Sequence, residues 1–140
     1  MPVDYRFGFT GTRHGMTETQ KRSLRDYISG FKGIFHHGDC IGSDSEAHDI
    51  ADESGYGIII HPPSDPTHRA WREVPRHMMR EEKSHFARNR DIVDDATSLI
   101  ATPFESTEQP KGGTWYTVRY ARKRGKPVVL ILPDGSIHQS

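Results

Sequence analysis

Apolar residues recur along this chain at two alternating spacings. Tyr5, Phe7 and Phe9 alternate with Arg6 and Gly8, the period of a half-buried strand. Thr17 and Gln20 form a capping-box pattern, and Leu24, Ile28 and Phe31 then fall on one helical stripe that ends near Gly30. Gly33 to His37 reads as a second strand. Ser43 with Glu46 reads as a second capping box, opening a helix with Ala47, Ile50 and Ala51 inward and Gly55 as its stop. Gly57 to His61 is a continuous isoleucine run of the kind buried on both faces. Ser84 to Asp95 predicts a third helix, with Phe86, Ile92, Val93 and Ala96 facing a core, and Thr97 to Thr102 a fourth strand. Thr114 opens a fourth helix, with Trp115, Val118 and Ala121 inward, and Pro127 to Leu132 predicts a fifth strand before a frayed tail.

Strands alternating with helix-length crossovers predict an α/β fold: a Rossmann-like three-layer sandwich around a five-stranded parallel sheet, in the order 3-2-1-4-5. One stretch breaks the rhythm. Residues 62–82 hold Pro62, Pro63, Pro66 and Pro75 together with Trp71 and several arginines, and only a short helix is expected there, around Arg76 to Lys83. So long a connection reads as a lid or an interface insertion. The whole chain, 1–140, reads as one domain.

Composition narrows the function classes. Formal net charge is zero with histidine neutral, so no overall field draws the chain to nucleic acid or to a membrane. The single cysteine, Cys40, excludes an internal disulfide and fits a reducing cytoplasmic setting. No apolar run is long enough to span a bilayer, and no apolar export signal opens the chain. Histidines are frequent, but HExxH and CxxC spacings are absent, and His36 and His37 point to opposite sheet faces. The expectation is therefore no metal and no cofactor.

The candidate chemistry lies in loops that this fold gathers at the C-terminal edge of the sheet. The turn from Phe35 to Asp44 carries Gly38, Asp39, Gly42 and Ser43 and reads as an anion-binding strand-to-helix turn. Asp39, at the strand end, is the candidate for ribose hydroxyls and the one candidate catalytic carboxylate. Asp44 reads as a helix-start residue. Gly11, Thr12 and Arg13 follow the first strand, where Arg13 is suited to fork onto a phosphate. Arg88 and Asn89 open the third helix. Gly112, Gly113 and Thr114 open the fourth, as a phosphate cradle or as an ordinary helix start. Trp71 is a base-stacking candidate or a pin for its loop. Cys40, with no assignable general base, reads as structural.

Four motifs occur in order: Phe9-Thr10-Gly11-Thr12-Arg13, the turn His37 to Asp44, Ala87-Arg88-Asn89-Arg90, and Gly112-Gly113-Thr114-Trp115. Together they resemble the SLOG superfamily of LOG- and DprA-related proteins, in its small YspA-like, DUF2493-type branch. The resemblance implies a fold that binds nucleotides or nucleotide-derived ligands, and a homodimer or larger assembly. It also implies that Arg88 and Asn89 face the ligand. LOG relatives hydrolyse the N-glycosidic bond of nucleoside monophosphates, using a glutamate in Pro-Gly-Gly-x-Gly-Thr-x-x-Glu. Here Thr117 stands where that glutamate is expected. The reading is therefore a nucleotide-binding or sequestering protein. A nucleotide N-glycosidase is the first alternative and a single-stranded nucleic-acid module the second.

Overall fold

The computed structural model describes residues 4–140. Its strands are β1 (Asp4–Gly11), β2 (Lys32–His37), β3 (Gly57–Ile60), β4 (Ser98–Thr102), β5 (Val128–Ile131) and β6 (Ile137–Gln139). Its α-helices are α1 (Glu18–Ile28), α2 (Ser43–Glu53), α3 (His85–Asp95) and α4 (Gly113–Lys123). The sheet order is β3-β2-β1-β4-β5-β6. The first five strands run parallel in the expected order, but β6 pairs antiparallel with β5, so the sheet is mixed and has six strands. The expected frayed tail is thus an edge strand. Its three residues, Ile137, His138 and Gln139, are all exposed, and it is held by backbone pairing, which leaves no apolar period to read.

Two apolar clusters flank the sheet. One joins Phe7, Phe9 and Phe35 to Leu24 and Ile28 of α1 and to Ala47, Ile50 and Ala51 of α2. The other joins Val93, Leu99 and Val128 to Trp115, Val118 and Ala121 of α4. Burying these side chains on both faces is what makes the parallel sheet stable. The fold is α/β, with helices packed on both faces of the mixed sheet and crossovers between its parallel strands.

Local signals fared unevenly. Thr17 and Gln20 do form a reciprocal capping box, and Gln20 also reaches the carbonyls of Pro103 and Ile131. The second expected box is absent. Gly42 is the N-cap of α2, with no side-chain cap, and Glu46 instead accepts from the Met16 backbone N–H at 2.7 Å. Phe86, expected in the core, is 56% exposed. Residues 62–83 contain only single 3-10 turns, Pro66–His68 and Arg76–Met78, and the segment is fastened rather than loose. Isolated bridges pair Cys40 with Arg69, Ile60 with Met79 and Pro63 with Lys83.

Candidate functional site

At the C-terminal edge of β1, β2 and β4 lies a cleft of about 820 Å³. Its floor is the end of β1 and the loop after it, Thr10 to His14, and its walls come from Gly38, the first turns of α3 and α4, and the Phe104–Gly112 connection. This is the edge at which an open parallel sheet leaves room for a ligand. Of the residues singled out from sequence, Gly11, Thr12, Arg13, Gly38, Arg88, Asn89, Gly112, Gly113 and Thr114 all line this one cleft.

Asp39, Gly42, Ser43 and Trp71 do not line it. Asp39 is fully buried and turned toward residues 69–72. Its Oδ2 pairs with the Arg69 Nε at 2.9 Å, and its Oδ1 accepts from the Arg72 backbone N–H at 2.9 Å. Both oxygens are therefore spent on fastening the proline-rich segment, and ribose binding or catalysis by Asp39 has no geometric support. Its backbone sits at φ 58°, a left-handed conformation that aspartate tolerates. Ser43 donates both its hydroxyl and its backbone N–H to the Thr12 carbonyl, at 2.6 and 3.1 Å. Gly42 has φ +82°, and any side chain there would collide with the Arg13 carbonyl. These two residues lock the β1 and β2 loops together. Trp71 is 61% exposed on the outer surface, with the Arg69 guanidinium stacked 4.0 Å from its ring centre.

The turn after β2 is not an anion site, because Asp44 fills it. Its Oδ2 accepts from the Gly38 and Cys40 backbone N–H groups at 3.2 and 3.1 Å. Asp44, not Asp39, is the carboxylate that the β2 turn presents to the cleft. Burial pushes its pKa up to about 6, while Arg88 and the two backbone hydrogen bonds hold it down. Beside it, burial pushes the Cys40 thiol up to about 11, which leaves it an inert thiol at neutral pH.

Arg88 is buried and heavily committed. Its guanidinium donates to the carbonyls of Gly38 and His61 and to Asn89 Oδ1, and it contacts His85 Nδ1 and Cys40 Sγ. Gly38 must lack a side chain, since a Cβ there would collide with this guanidinium. Arg88 thus supplies positive potential to the cleft from a fixed position.

The remaining anion-binding capacity sits at α4. Gly112, its N-cap, has φ +103° and no side-chain cap, and a Cβ at Gly113 would meet only Asn89 Nδ2, at 3.9 Å. The unfilled helix start therefore faces the cleft with its partial positive charge. Lys111 and Arg119 line the cleft too, Arg119 held by Glu108 Oε2 and the Gln109 and Pro110 carbonyls, and Arg13, bonded to His68 Nε2 at 3.0 Å, belongs to its floor. Thr117 is turned inward and donates to the Gly113 carbonyl at 2.7 Å, so no carboxylate projects from that turn of α4. Sequence reasoning missed two aromatic pairs at the cleft mouth. Phe86 meets Tyr116 edge-on with centres 4.6 Å apart, and His14 meets Phe104 at 4.9 Å. Phe104 is 60% exposed. Lys111, directly before Gly112, was visible in the sequence as a basic residue at a glycine-rich helix start. The aromatics carried no such signal.

No family model matches the chain, and no curated protein matches it. Among solved structures, the molybdenum cofactor binding protein from the phototrophic bacterium Rippkaea orientalis superposes with a TM-score of 0.65. The match covers 93% of this chain and 77% of that one, at 20% sequence identity. That likeness establishes a shared fold. Among the described residues, no helix is long and apolar enough to cross a membrane.

Proposed function

We propose that this protein binds a nucleotide or another phosphorylated heterocycle in the cleft at the C-terminal edge of its sheet. The observation that carries this reading is the uncapped start of α4. It opens into an 820 Å³ cleft that Lys111, Arg119 and Arg13 also line. The backbone N–H groups of Gly113 and Thr114, the helix dipole and these cations suit a phosphate. Phe104 and the Phe86–Tyr116 pair, at the mouth, suit the face of a flat ring system. Asp44 and Asn89, also in the cleft lining, are the polar groups suited to bond hydroxyls. The motif resemblance to SLOG proteins fits this reading. The structural neighbour is itself a molybdenum cofactor binding protein, which puts that cofactor among the ligands to test.

The test is a mass spectrum of small molecules that remain bound after gentle purification, followed by calorimetric titration of what is found. A phosphorylated heterocycle bound with one-to-one stoichiometry supports the reading. An empty protein that fails to bind any of a panel of nucleoside monophosphates, nucleoside diphosphates and molybdenum cofactor refutes it.

Hydrolysis of an N-glycosidic bond is the second reading, and one observation favours it. Asp44 is a cleft carboxylate with a pKa pushed up to about 6, the range of a general acid–base group. Incubation with nucleoside monophosphates followed by chromatography separates the readings, because release of free base requires the hydrolase.

A further inference from the structure

A second cluster lies outside the cleft, beneath α3. His36 on β2 is in register with Gly8 of β1, and a Cβ at Gly8 would touch Ile92 and Ala96 of α3. His36 therefore lies on the α3 face of the sheet. Ile59 of β3 is the register partner of His36, and His61, two residues beyond Ile59, lies on the same face. Asp95, the last residue of α3, closes the group. His36 Nδ1 and His61 Nε2 stand 2.9 Å apart, and His61 Nε2 and Asp95 Oδ2 stand 3.9 Å apart. All three ligand atoms fall within 4.8 Å of one another.

We propose that His36, His61 and Asp95 form a binding site for a borderline divalent transition-metal ion such as Zn²⁺ or Co²⁺. In a tetrahedral site with bonds of about 2.0–2.1 Å, neighbouring ligand atoms stand roughly 3.3 Å apart. The observed separations bracket that value, so small side-chain adjustments seat an ion. The two imidazoles come from adjacent strands and are almost wholly buried, which holds them in place before the ion arrives.

Hydrogen bonding in the free protein leaves room for the ion. Two neutral imidazoles facing each other must place one proton between their nitrogens. A metal ion replaces that proton by a change of tautomer in one ring, without making either ring charged. His36 Nε2, buried and without a hydrogen-bond partner, does not lock the tautomer of its ring.

The donor set and the local charge decide the class of ion. Two nitrogens and one carboxylate favour zinc, cobalt or nickel over magnesium or calcium. Arg6, Arg80, Lys83 and Arg88 surround the cluster, which disfavours ions held by charge alone. Arg80, 3.7 Å from Asp95 Oδ2 and half-exposed, is the group that the ion displaces. Asp95 is partly exposed, which provides the route of entry and leaves a fourth position open to water or to another small ligand. The ion would join β2 and β3 to α3, the helix that carries Arg88 and Asn89. This proposal does not rest on nucleotide binding in the cleft.

The test uses the full chain, stripped with chelator and dialysed. Zn²⁺ is titrated by calorimetry, and Co²⁺ is followed by its visible absorption. The expected result is one equivalent bound, with the intense bands of four-coordinate cobalt. Asp95→Ala and His61→Gln should each weaken binding about tenfold or more, since even a residue that only orients a ligand costs that much. The exposed-strand variant His138→Ala should bind as wild type does. Circular dichroism confirms that each variant is folded, and the partly exposed Asp95 makes Asp95→Ala the safer of the two. Absence of binding, equal binding by Asp95→Ala, or loss of binding in His138→Ala would overturn the proposal.

Discussion

Replacing Arg88 by alanine tests whether the cleft is built around a fixed guanidinium. From sequence, this arginine reads as a ligand-facing group whose removal should spare the fold. The structure predicts otherwise. Arg88 is 4% exposed, and its donors serve two buried carbonyls, Gly38 and His61, and the Asn89 side chain at 2.7 Å. In Arg88→Ala these acceptors lose their partner, and Asp44 loses the buried positive charge that favours its ionised form. A hydrogen bond from a charged donor contributes about 1.5–3 kcal/mol, and breaking a buried charged network costs about 3–5 kcal/mol. The individual losses overlap, so the total expected is about 3–5 kcal/mol rather than their sum. For a domain of this size that lowers the melting temperature by roughly 10–15 °C. Urea unfolding of wild type and variant at neutral pH measures it. A loss below about 1 kcal/mol, the value typical of a single ordinary hydrogen bond, would show that the guanidinium is not held as described.

Further expectations follow from other residues. The Asp44 carboxyl has a folded pKa of about 6 against an ordinary value of 3.8, so the folded state binds the extra proton, and this group's contribution to stability falls as pH rises between those values. Asp44→Asn should remove that slope and gain up to about 3 kcal/mol relative to wild type above pH 6, read by urea unfolding of both proteins at pH 5 and 7.5. The comparison is made pair by pair because the buried histidines slope the other way. Asp39→Ala should cost about 1.5–3 kcal/mol, since it strips the Arg72 backbone N–H of its acceptor and leaves Arg69, whose side chain is only 8% exposed, with Glu82 as its remaining carboxylate partner. It should also speed proteolysis within residues 62–83, and unchanged cleavage would contradict the fastening role. Phe104→Ala should leave stability within about 0.5 kcal/mol and weaken ligand binding by about 1–3 kcal/mol, as loss of a stacking surface does. Calorimetry and thermal melting of the same sample read both effects.

The parallel part of the fold was legible because its signal is periodic. The isoleucine run at β3 and the stripes of α1 and α4 each carried strand or helix spacing, and parallel strands joined by helices leave few topologies. β6 was not legible, since a strand of three exposed residues at the sheet edge pairs through backbone alone. Most of the cleft was legible too, because glycine-rich strand-to-helix turns gather at one sheet edge in this topology. What failed was the division of labour between neighbours. Asp39 and Asp44 are five residues apart, and which one faces the cleft depends on the left-handed backbone at Asp39. Phe86 carried helical core spacing, yet its position beside Tyr116 was set by the packing of α3 against α4. The His36–His61 pair depends on the register of β2 against β3, which no spacing along the chain reveals.

The central claim is that the uncapped start of α4 receives a phosphate. Gly113→Asp isolates it. The new side chain has room, and an acidic residue at a helix start stabilises by about 0.3–1 kcal/mol, so the melting temperature should hold or rise. Titration of AMP and GMP, each against its unphosphorylated nucleoside, into wild type and Gly113→Asp is the direct measurement. The account predicts saturable binding of a nucleotide by wild type, weaker binding of the matching nucleoside, and loss of nucleotide binding in a variant that is fully folded. Equal affinity for nucleotide and nucleoside, or nucleotide binding unchanged in Gly113→Asp, would contradict it.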